Sequence, residues 1–121
     1  MDFRNREFRA KTFNVTCTVD EQVYTLYTCP ANCRSHVVLL YVKAAEGSPS
    51  VTVEWDRADG SHAHILSDKN LTTGEFIQWS GSYIVLEPGD SLTVAADEAT
   101  PHVDAFCTVE EHYLPNRPSQ A

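Results

Sequence analysis

The chain has 121 residues, enough for one domain with a single buried core. Its 42% hydrophobic and 21% charged residues are ordinary for a globular protein, and its net charge of −8 opposes binding to a phosphate backbone. No run of 18 apolar residues occurs and no apolar leader opens the chain, so neither a membrane span nor a signal peptide is expected.

Residues 1–12, "MDFRNREFRAKT", hold four of the nine basic residues and two of the seventeen acids, a local charge of +2 that leaves −10 on the remainder. They read as an N-terminal arm. Phe3, Arg4, Arg6, Phe8 and Arg9 are its candidate contacts with a neighbouring protein, and burial of two Phe rings offers on the order of 3–6 kcal/mol before ordering costs.

Residues 13–114 read as one all-β domain. "NVTCTV" puts Val15, Cys17 and Val19 on one face. "QVYTLYTC" alternates Val23, Thr25 and Tyr27 against Tyr24, Leu26 and Thr28, and "CPANC" supplies a turn. "SHVVLLYVKA" is apolar on both faces, as expected of a central strand. "VTVEWDR" sets Val51, Val53 and Trp55 against Thr52, Glu54 and Asp56, and "ADG" is a hairpin-type turn.

"HAHIL" follows, then "SDKNLTTGE" as a polar loop. "FIQW", "SYIVL" and "SLTVAAD" read as separate strands, divided at Ser80-Gly81 and at Glu87-Pro88-Gly89-Asp90. "HVDAFCTVEEHY" places Val103, Ala105, Cys107 and Val109 on one side, and 115–121 is expected to be a loose tail. About eight short strands at even spacing, with no helix of useful length, predict a single-domain antiparallel β-sandwich or jelly roll.

Within that fold Pro88, Gly89 and Asp90 form a structural turn. Proline fixes φ, glycine accepts φ > 0 and the Asp side chain bonds nearby N–H groups, so Leu86 and Leu92 enter the core from either side. The competing chemistry is a cupin-like metal set of His62, His64, Asp68 and His102, with both histidines of His-x-His on one strand face. With Ala63 and Ile65 turned inward, however, His62 and His64 face solvent, and no metal or other cofactor is expected.

Cys29-x-x-x-Cys33 lacks the second pair that structural zinc requires. The four cysteines, Cys17, Cys29, Cys33 and Cys107, permit two disulfides, but without an export signal reduced thiols are expected. Neighbouring acids such as Glu110-Glu111 and Asp97-Glu98 read as solvated surface. There is no nucleophile elbow, Gly-rich phosphate loop or catalytic triad, so no enzyme is expected. Trp79, beside a turn, is the freest aromatic ring and the candidate for a carbohydrate-binding sandwich.

In order, "VYTLYTCPANCRSHVVLLYVKA", "VTVEWDRADG", "YIVLEPGDSLTVAA" and "HVDAFCTVEE" resemble a family of small bacteriophage virion proteins found in head decoration, neck and tail fibres. The likeness runs over residues 22 to 111, and the cysteines flanking Pro30-Ala31-Asn32 depart from it. It implies a virion location after synthesis in the host cytoplasm. It also implies a homo-oligomer, with a trimer favoured, and a major capsid, neck or tail protein as partner.

Overall fold

A computed structural model describes residues 8–115, apart from the side chains of Phe8, Ser82 and Tyr83. Its strands, in chain order, are β1 (Phe8–Cys17), β2 (Val23–Thr28), β3 (Cys33–Glu46), β4 (Ser50–Asp56), β5 (His62–Asn70), β6 (Phe76–Leu86), β7 (Ser91–Asp97) and β8 (His102–Tyr113). Two four-stranded sheets form, with orders β1-β8-β3-β6 and β2-β7-β4-β5. Every pairing is antiparallel. Six of the seven connections pass from one sheet to the other, and only β4–β5 is a hairpin within a sheet. This is the two-Greek-key jelly roll, which hides both apolar faces in one seam.

Alternation builds the seam. In β8, Val103, Ala105, Cys107 and Val109 point inward between half-buried neighbours. In β3, Val37, Leu40, Val42 and Ala44 do the same. They meet Val51, Val53, Leu92 and Val94 from the other sheet, and all but Val37 are at most 1% exposed. Each such Val or Leu contributes about 1.5–3 kcal/mol by leaving water.

Four local expectations are corrected, each on an edge strand. Residues 8–12, expected in the arm, are strand, because β1 starts at Phe8 and Ala10, Lys11 and Thr12 pair with Glu110, Val109 and Thr108, while residues 1–7 lie outside the described residues. In β2 a register shift between Thr25 and Tyr27 turns both Leu26 and Tyr27 inward, which breaks the simple alternation.

The expected loop at 67–70 is strand. β5 runs on to Asn70 through an irregularity where Asp68 takes φ 50 and its N–H donates to Thr52 Oγ1 at 3.0 Å. Leu71 then plugs the core at 0% exposure. Ser80-Gly81 does not divide two strands either. β6 continues to Leu86, and two extra residues are absorbed between Ser80 and Ile84, where Gly81 adopts φ 108.

Candidate functional site

The Pro88-Gly89-Asp90 corner joins three loops. Gly89 takes φ 88, and its N–H donates to the Cys29 carbonyl at 2.9 Å, while the Cys29 N–H donates to the Asp90 carbonyl at 2.8 Å. The Asp90 side chain is 3% exposed. Its Oδ1 accepts from the Ala58 N–H at 2.9 Å, and its Oδ2 accepts from the Glu87 N–H at 3.0 Å and Trp55 Nε1 at 3.2 Å. Arg57 Nε lies 3.8 Å from Oδ2, and the guanidinium also sits over the Trp55 ring. Burial alone would raise this carboxyl, but the two amides, the indole and Arg57 outweigh it and hold it below the ordinary value. The turn therefore ties three connections together: β4–β5 and β6–β7 through the Asp90 carboxylate, and β2–β3 through the backbone groups of Gly89 and Asp90.

A second polar node lies in the seam beside β1. Glu111 continues the inward phase of β8 and is 2% exposed, so its reading as solvated surface is corrected. Oε2 accepts from the Tyr27 hydroxyl at 2.6 Å. Tyr27 and Ser35 hydroxyls are 2.7 Å apart, and the Cys29 thiol is 3.3 Å from Ser35. Lys11 Nζ at 3.3 Å and Arg9 Nη2 at 3.6 Å face Oε1. Burial again opposes ionisation, while Tyr27, Lys11 and Arg9 win and lower the Glu111 value. Burial, then the bond to Glu111, raises the Tyr27 phenol. A cavity of about 380 Å³ opens between Lys11, Phe13, Tyr27, Pro30 and Glu111.

All four cysteines are free and buried. Burial pushes Cys17 up to about 11, aided by Asp104, and Cys107 up to about 12. Burial also raises Cys29 and Cys33. At neutral pH such groups stay thiols and act as small hydrophobes rather than nucleophiles.

The cupin-like set does not assemble. His62 and His64 lie on β5, and His102 opens β8 in the other sheet, beside Glu46 at 3.5 Å and Asp104 at 3.9 Å. Asp68 is at the β5 irregularity. His62 and His64 are exposed, but so is Ala63 between them, which corrects its expected inward placement, and the two imidazoles face carboxylates. Asp56 is in register with His62 and Glu54 with His64, whose Nε2 is 3.0 Å from Glu54 Oε2. A hydrogen bond with Asp56, then burial, raises Glu54.

The outer face of the β1-β8-β3-β6 sheet carries three stacked rings. Tyr41 on β3 lies 5.3 Å from Phe76 on β6 and 4.7 Å from Phe106 on β8, centroid to centroid. Phe76 is 54% exposed, so the ladder presents apolar area to solvent. Trp79, the carbohydrate candidate, is half-buried against the core and walls a cleft of about 370 Å³ with Val37, Leu40, Gly81 and Ile84.

Of the arm residues, Phe3, Arg4 and Arg6 fall outside the described residues, as does the Phe8 side chain. Arg9 contacts Glu111 and lies over the Tyr113 ring at 5.7 Å, so it already has partners within its own chain. Sequence reading missed Glu111, although its signal was present: two residues beyond Val109, it keeps the period of β8.

No family model matches the chain, and no curated protein matches it in sequence. Among solved structures it is similar to a chain of the disulfide-linked pili formed by Bacillus endospore appendages, with 14% identity, a TM-score of 0.58 and 89% of each chain covered. It is also similar to a chain of the acid-stable capsid of Helicobacter pylori bacteriophage KHP30, with 12% identity, a TM-score of 0.52, and 88% of this chain and 89% of that one covered. A chain of infectious bursal disease virus, Gx strain, matches at 13% identity and a TM-score of 0.54, where the alignment covers 92% of this chain but 34% of the viral one. At these identities the likeness is one of fold: the chain is an all-β, two-sheet sandwich of the kind found in viral capsid and pilus-like structural proteins.

Proposed function

We propose that the chain is a non-enzymatic phage virion structural protein, a capsid decoration or cement subunit or a neck or tail component. It acts by protein–protein assembly as a homo-oligomer, favoured as a trimer, on a major capsid, neck or tail protein. It reaches the virion after synthesis in the host cytoplasm. The observation that carries this reading is the jelly roll occupying the whole described chain, with the Phe76–Tyr41–Phe106 ladder left on an outer face. A sandwich that has closed its own seam yet displays an apolar stripe has contact area for another chain. The whole-length likeness to a phage capsid chain supports it.

The likeness to pili formed by endospore appendages supports assembly in a different geometry, since head-to-tail contacts that fail to close a ring build open filaments. Electron cryomicroscopy of virions of the phage encoding the chain tests the location. The proposal expects repeated eight-stranded density for this chain at the head surface, neck or tail. Virions shown by mass spectrometry to lack the chain would refute it.

A further inference from the structure

The β4–β5 hairpin places four metal-ligating side chains in a two-by-two block on its solvent face. Glu54 and Asp56 are two apart on β4 and His62 and His64 two apart on β5, so alternation sends each pair to the same side. The register sets Asp56 opposite His62 and Glu54 opposite His64. Ligand atoms of Glu54, Asp56 and His62 all lie within 4.8 Å of one another, close enough to converge on one ion.

The surroundings fix this block. Thr93 Oγ1 on β7 donates to Asp56 Oδ2 at 3.2 Å, and His64 Nε2 meets Glu54 Oε2 at 3.0 Å. Arg57, the adjacent cation, is turned to Asp90 and Trp55 instead. Among the described residues no lysine or arginine forms an ion pair with Glu54 or Asp56. Two carboxylates are thus gathered with imidazoles and without a balancing cation.

We propose that Glu54, Asp56 and His62 hold a divalent transition-metal ion of the zinc class on the outer face of the β4–β5 hairpin, with His64 orienting Glu54. Mixed imidazole and carboxylate donors suit zinc, cobalt and nickel better than the all-oxygen cations calcium and magnesium. Three protein ligands leave a position for water or a further side chain. The ion would lie outside the sandwich. This separates the site from a barrel-interior cupin centre, and His102 on the opposite sheet has no part in it.

The full-length chain, stripped with chelator and dialysed, is titrated with Co²⁺ while visible absorption is read, and Zn²⁺ is then added in competition. The expected result is one Co²⁺ per chain, with ligand-field bands that Zn²⁺ displaces. His62→Ala weakens binding at least about 100-fold, and His64→Ala about tenfold, as expected for a partner that orients a ligand. Glu54→Gln weakens it while circular dichroism stays unchanged, and His102→Ala binds like the parent. The proposal is overturned by absence of saturable binding, by unchanged affinity in His62→Ala, by preference for Ca²⁺ over Zn²⁺, or by loss of binding in His102→Ala.

Discussion

Asp90→Ala is expected to lower the melting temperature of the full chain by about 10–15 °C. The substitution removes the acceptor for three donors at once, the Ala58 and Glu87 amides and the Trp55 indole. Each buried donor left without a partner costs about 1–3 kcal/mol, and water reaching the half-buried corner recovers part of it, for a total of about 3 kcal/mol. At this chain length about 4 °C is lost per kcal/mol. Asn is not a rescue. Both carboxylate oxygens accept, so an amide must turn its NH2 group toward an existing donor, and Asp90→Asn loses about 2 kcal/mol.

The pH dependence follows from the lowered Asp90 value. The stabilisation is fully present above the unfolded carboxyl value of about 3.9 and is lost as pH falls through the lower folded value. Acid unfolding of Asp90→Asn should be correspondingly flatter in that window. Thermal unfolding followed by circular dichroism between pH 2 and 7 reads both effects. An Asp90→Ala protein within 0.5 kcal/mol of the parent would show that the corner is held by backbone bonds alone.

Glu111→Ala is expected to cost about 2–4 kcal/mol, the sum expected for a buried hydroxyl that loses its acceptor and a void left by a large side chain. The loss comes from the short bond to the buried Tyr27 hydroxyl and from a void joined to the adjoining cavity, while Lys11 and Arg9 reach water. Tyr27→Phe leaves the carboxylate to Lys11 and Arg9, whose side chains are 36% and 55% exposed, and should cost about 1.5–3 kcal/mol. The two residues act as one node, so the double variant should lose about 1–2 kcal/mol less than the sum. Urea unfolding of the four proteins supplies the cycle. Strict additivity would mean that the 2.6 Å contact contributes nothing of its own.

Acid again works against this node. Glu111 lies below its ordinary value in the fold, so its contribution is full above about pH 5 and fades as pH drops through the folded value. Glu111→Gln should therefore unfold in acid with less dependence on pH than the parent.

The inner strands were legible and the edge strands were not. β3, β4, β7 and β8 each pair on both sides and are covered on one face by the other sheet, so their apolar residues mark them as strands, and β4 and β8 show the alternation that one buried face imposes. The edges β1, β2, β5 and β6 each lack one neighbour, which leaves them room for irregularities. That is where β2 turns Leu26 and Tyr27 inward together, β5 carries polar Ser67–Asn70 as strand, and β6 absorbs Gly81.

The Pro88-Gly89-Asp90 turn was legible because its chemistry is local. The carboxylate's grip on Ala58 and Trp55 was not, since it depends on which loops the sheet order brings to one end. Glu54 facing His64 has the same origin. The acids of β4 and the histidines of β5 become a cluster only through hairpin register.

Native mass spectrometry of the purified full chain at micromolar concentration, without any other protein, tests the proposed assembly most directly. The account predicts a closed homo-oligomer, three copies in the favoured form, whose mass persists on dilution. A single-copy mass across that concentration range would contradict it.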